Sequence, residues 1–152
     1  MGPAGPAGPS GPTGPVGPPG PTGSSAIIPY AAGVDLAPAA TPAFLGFGVV
    51  TAFEDALNWV APRPGTLRNF RLNVITNTLS LATAVYTLRI STACNGTFAD
   101  TVLTLTLAPG TVGCFISAGP VAVGAGDRVS LQATVPFGGL GVIRATGGVE
   151  FA

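Results

Sequence analysis

The sequence predicts an all-β chain: a jelly-roll β-sandwich head carried on a short collagen-like triple-helical stalk. Three observations predict it. Glycine opens every triplet from Gly2 to Thr22, seven times without a slip. Beyond that stretch, apolar and polar residues alternate in run after run, and clusters of Gly, Pro, Asn and Asp separate the runs. No stretch carries an apolar stripe at helical spacing. Strict glycine at period three fits a collagen helix, because three polyproline-type chains wind about one axis and only glycine fits where each chain crosses it.

The chain divides at the end of the repeat, with residues 1–25 as stalk and hinge and residues 26–152 as head. Proline fills the second position of all seven triplets, whereas the third position holds it only at Pro19. The stalk carries no charged side chain, so ion pairs cannot set its register. Its 21 residues would span about 60 Å at about 3 Å of rise each. So short a repeat needs another element to bring three chains together, and the head is expected to do this. The chain's main partner is therefore a second and third copy of itself. Gly23-Ser24-Ser25 forms the hinge.

In the head, Ala26-Ile27-Ile28-Pro29-Tyr30 reads as a first strand, placed at a sheet edge by Pro29 and near the three-fold axis by its link to the stalk. Residues 34–42 read as an Ala/Pro-rich loop. The apolar run 43–53 is kept from helix by Gly46 and Gly48. Glu54-Asp55-Ala56 reads as a solvated turn, and a short strand from Leu57 to Ala61 holds the only tryptophan, Trp59. Pro62-Arg63-Pro64-Gly65 is a tight turn. Period-two alternation then places Phe70, Leu72 and Val74 opposite Arg71 and Asn73. It places Tyr86, Leu88 and Ile90 opposite Thr87 and Arg89, and Leu103, Leu105 and Leu107 opposite Thr104 and Thr106. Val129, Leu131, Ala133 and Val135 oppose Arg128, Ser130, Gln132 and Thr134. Val149 and Phe151 flank Glu150. Turns are expected at Asn95-Gly96, Pro109-Gly110, Gly124 to Asp127, Gly138-Gly139 and Gly147-Gly148. About eight to ten short antiparallel strands make a sandwich, and a jelly roll fits that number.

Composition narrows the function. Net charge is zero, and the six basic residues are all arginine, with no lysine or histidine. Nucleic acid needs a basic patch, and so does an anionic membrane surface. Residues 101–126 carry no charge, but Pro109, Pro120 and alternating Leu and Thr make them strand rather than a membrane span, so no membrane insertion is expected. No signal peptide is visible, since Met1 leads straight into the repeat. Without histidine a Ser-His triad is impossible, and Glu54-Asp55 is the only adjacent carboxylate pair. No enzyme, no cofactor and no metal site is expected. Asp127 is expected to cap its turn rather than bind calcium. Asn95-Gly96-Thr97 matches a glycosylation sequon, but Asn-Gly is also a favoured two-residue hairpin turn, and the turn is the reading expected here.

A repeat running into Ser25-Ala26-Ile27-Ile28-Pro29-Tyr30-Ala31-Ala32-Gly33 resembles the collagen-like glycoproteins of the bacillus spore exosporium, in their B-type branch. Pro42-Ala43-Phe44-Leu45-Gly46-Phe47-Gly48 and Ala61-Pro62-Arg63-Pro64-Gly65-Thr66-Leu67 fit the same branch. The resemblance implies a trimeric head with a jelly roll like that of complement C1q and tumour necrosis factor. It implies a structural glycoprotein in the outer nap of a spore, with O-linked sugar on stalk threonines such as Thr13 and Thr22. It also implies partners among basal-layer or appendage proteins, reached through an anchoring segment that does not precede this repeat. An adhesive or ligand-binding C1q-like head, on a surface appendage or a phage tail fibre, is the alternative of the same architecture.

Cys94 and Cys114 are the only cysteines. In a surface protein they are expected to pair, closing a loop of about 20 residues that constrains the unfolded chain by roughly 3 kcal/mol. Two buried free thiols are the alternative, because spore proteins are made in a reducing cell.

Overall fold

The structure, a computed structural model, describes residues 1–5, 8, 10, 11, 13, 14, 25–30, 35–39, 42–46, 49–54, 58–92, 96–137 and 140–152. Twelve strands run through the head and, among the described residues, no α-helix. They are β1 (Ala26–Tyr30), β2 (Asp35–Leu36), β3 (Ala43–Gly46), β4 (Val49–Thr51), β5 (Trp59–Val60), β6 (Gly65–Asn77), β7 (Ala84–Ser91), β8 (Ala99–Leu107), β9 (Gly113–Ser117), β10 (Val121–Val123), β11 (Arg128–Thr134) and β12 (Ile143–Phe151). All pairings are antiparallel, and they form two sheets.

In the first sheet β12 lies between β6 and an edge made of β1 and β2, while β9 and β10 line the far side of β6. In the second, β11 lies between β7 and an edge made of β3 and β5; β4 extends β3, and β8 extends β7. Alternation explains how the sheets pack. Phe70, Leu72, Val74, Ile143 and Val149 point inward from the first, and Tyr86, Leu88, Leu103, Val129 and Leu131 from the second, into one buried cluster. Two antiparallel sheets sharing one core are what a β-sandwich requires. Each fully buried Leu, Val or Phe contributes about 1.5–3 kcal/mol of transfer free energy. Trp59 meets the Phe151 ring edge-on at 5.0 Å and closes the core where the chain enters the head.

Several expectations hold in detail. β1 is a sheet edge, as Pro29 demands. Residues 101–126 form β8, β9 and β10, and among the described residues no helix is long and apolar enough to cross a membrane. Asp127 caps its turn, accepting from the Gly124 N–H at 2.6 Å.

Others are corrected. β2 lies within the expected loop 34–42, held by Arg144, which bonds both Asp35 oxygens at 2.8 and 2.6 Å. The β7–β8 connection spans residues 92–98, so it is longer than a two-residue hairpin; Gly96 still takes a left-handed φ of 77°, while Asn95 lies outside the described residues. Gly147-Gly148 is no turn but the middle of β12, because a Cβ on Gly147 would lie 2.1 Å from the Arg71 carbonyl oxygen. Only glycine lets β12 approach β6 there. Glu54 is not solvated: it pairs with Arg89 and accepts from Ser130 Oγ, and Ser130 itself is fully buried. Arg89 also bonds Asp100 at 2.7 Å and the Phe98 carbonyl at 2.7 Å, so one guanidinium ties three segments over the outside of the second sheet. Asp55 lies outside the described residues.

Candidate functional site

Among the described residues, the outer face of the first sheet gathers unpaired polar side chains and exposed isoleucines. The alternation that buries Leu72 and Val74 turns Arg71, Asn73 and Ile75 outward on β6. Register places Gly148 and Ile116 beside Arg71, and Thr146 and Cys114 beside Asn73. Ile27, Ile75 and Ile116 are each more than half exposed on this side. With no side chain on Gly148, the face stays low beside Arg71.

At the Ser25 end of the face, a bulge between Gly148 and Glu150 offsets β12 against β6. Asn69 takes a left-handed φ of 52° there, a conformation asparagine tolerates better than most residues. Its amide donates to Glu150 Oε2 at 2.8 Å, and Arg68 donates to Oε1 from Nη2 at 2.7 Å and Nε at 3.1 Å. These bonds, Asn69's foremost, hold the Glu150 carboxyl down to about 2. A cavity of about 290 Å³ opens beside it, lined by Ser25, Ile27, Asn69, Arg71 and Glu150. A second, of about 320 Å³, opens on the other side of Arg71, among Asn73, Cys114, Ile116, Thr146 and Gly147.

Arg71 is the exception in the charge map. Arg68 pairs with Glu150, Arg89 with Glu54 and Asp100, and Arg144 with Asp35. Arg63 stacks over Phe151 at 4.8 Å and Arg128 over Phe98 at 5.1 Å. Among the described residues, Arg71 has no ion pair, hydrogen bond or ring contact. Sequence alternation places it outward; that the other arginines would find partners is tertiary information.

Cys114 stands exposed on β9, its thiol donating to Asn73 Oδ1 at 3.7 Å; Cys94, its expected partner, lies outside the described residues. Thr13 is exposed, and Thr22 lies outside the described residues. Among the described residues no three Cys, Asp or Glu side chains come together as a metal set. Comparison with protein-family models, with curated proteins and with solved structures finds no match to this chain.

Proposed function

We propose that the chain is a structural surface glycoprotein: a collagen-like stalk carrying a jelly-roll head that associates as a trimer, on a spore exosporium or a comparable extracellular appendage. The carrying observation is the unbroken glycine period joined directly to an all-β head. Strand order supports the jelly roll. Counting β1 with β2, β3 with β5, and β9 with β10 leaves eight positions, with β4 an added edge on the second sheet. One sheet then runs first-eighth-third-sixth and the other second-seventh-fourth-fifth, as two Greek keys would. The exposed isoleucines on a low, glycine-centred face support association through the first sheet, with β1 near the three-fold axis. In this reading the chain is not an enzyme.

Light scattering on the full chain, and on a variant lacking residues 2–23, tests it. Both should have three times the chain mass, and the stalk should melt below the head. A monomeric head refutes the reading.

A specific observation favours the adhesive alternative. Leu81, Phe137 and Leu140 are each about 80% exposed, on the loops between β6 and β7 and between β11 and β12. These loops lie at the opposite end of β12 from Ala26, and Ser80 and Leu140 bond each other across them. A head that used this end for binding would lose its ligand, and keep its mass, when all three become serine.

A further inference from the structure

The larger cavity on the outer face of the first sheet gathers donors and no negative charge. We propose that this recess binds a small oxyanion, a carboxylate or a phosphate, with Arg71 as the ionic anchor and the Asn73 amide and Thr146 hydroxyl as neutral donors. Arg71 and Asn73 are two apart on one face of β6, and Thr146 is the direct cross-strand neighbour of Asn73 on β12. All three line the same space of about 320 Å³. Same-face neighbours in a sheet stand about 5–7 Å apart, a span that one oxyanion with donors on its several oxygens bridges. Asn73 Oδ1 lies 3.7 Å from Cys114 Sγ, and Asn73 lines the recess beside it. Among the described residues neither the Asn73 NH₂ nor the Thr146 hydroxyl has a partner. A guanidinium offers parallel N–H donors that match two oxygens of such an anion, and the Phe115 and Ile116 walls exclude water from part of the contact.

Each described side-chain carboxylate of the protein is already engaged. Asp35, Glu54, Asp100 and Glu150 are ion-paired, and Asp127 is bonded to the Gly124 N–H. A second copy brings the same set, already engaged. If copies associate through this face, as the trimer reading holds, the anion would neutralise a guanidinium that burial would otherwise leave uncompensated. The site itself does not depend on that reading.

The probes are inorganic phosphate and sodium acetate, titrated at constant ionic strength with chloride. The proteins are the full chain, Arg71→Met, which keeps an unbranched apolar stem without the guanidinium, and Asn73→Asp, which puts a carboxylate into the recess. Thermal midpoint and mass by light scattering are read together. A rise in midpoint that saturates with either anion in the parent chain and vanishes in both variants is the expected result. Arg71→Lys should retain a response several-fold weaker, having charge but no fork. An equal response in the parent and both variants, or none in the parent, overturns the site. Should one variant fail to fold, the other still decides. A trimer without the anion response sinks the site and leaves the association reading standing; a monomer with it does the reverse.

Discussion

Tyr86→Phe should make this protein more stable. Tyr86 sits in the middle of β7, 1% exposed, with Ala133 and Leu105 as its cross-strand neighbours. Among the described residues its hydroxyl is buried without a hydrogen-bond partner. A buried hydroxyl left unpaired costs about 1–3 kcal/mol, while the ring beneath it contributes through burial alone. Phenylalanine keeps the ring and removes the cost, so the net gain should be about 1 kcal/mol. Tyr30 is the internal contrast. Its hydroxyl donates to the Val129 carbonyl at 3.3 Å, so Tyr30→Phe should lose about 0.5–1.5 kcal/mol. Urea unfolding at one protein concentration reads both, as midpoints moving in opposite directions with unchanged slope. Burial also raises both phenols above their usual 10. The folded state therefore holds protons that the unfolded chain releases, so stability is full below pH 10 and falls as pH rises above it. Each Phe variant should flatten part of that alkaline loss. A Tyr86→Phe protein less stable than the parent by more than about 0.5 kcal/mol would show that the hydroxyl has a bonded partner, such as a trapped water, and would refute the reasoning.

Three further outcomes are expected. Gly147→Ala should lose about 3 kcal/mol, since its Cβ would lie 2.1 Å from a backbone oxygen that can move only with β6; an unchanged melting midpoint would contradict the close approach. Glu150, held near 2 against an ordinary 4.5, contributes stability that is complete above about pH 4.5 and lost as pH falls toward 2. Glu150→Gln should remove that segment of the acid profile when urea midpoints are compared at pH 3 and pH 6. Thiol titration of the denatured, unreduced chain tests the expected Cys94–Cys114 pairing: no free thiol supports it, and two per chain would sink it and leave Cys114 as the free thiol that stands against Asn73.

Much of the fold was legible because burial writes itself into alternation. The core faces of β6, β7, β8 and β11 follow from period-two runs, as do Val149 and Phe151 at the end of β12, and Pro29 marked β1 as an edge. The second half of the first sheet was harder to read. β9 and β10 are short, flanked by glycine and proline, and become strands only because β6 offers them an edge. Gly147-Gly148 carries a turn's composition, yet a neighbouring backbone requires it. Glu54 looked solvated because Arg89 and Ser130 lie 35 and 76 positions away in the chain. The candidate site was half legible. Arg71 and Asn73 could be placed outward from β6 alone, but the missing counter-charge at Arg71 emerges only after every other pair has formed.

The pairing of β1 with β12 has a mechanical meaning. Ala26 lies against Phe151 and Tyr30 against Gly147, so the strand nearest the stalk runs alongside one held on its other flank by β6. Tension applied at Ser25 along the strand axis would slide β1 lengthwise past β12, loading its backbone bonds together rather than parting them one at a time like a zipper. Pro29 has no N–H to add to that ladder, so the strand would resist through its other residues and through Ile28 and Tyr30, both anchored in the core. A head pulled through Ser25 would thus be gripped in shear, the stronger direction of an antiparallel pair.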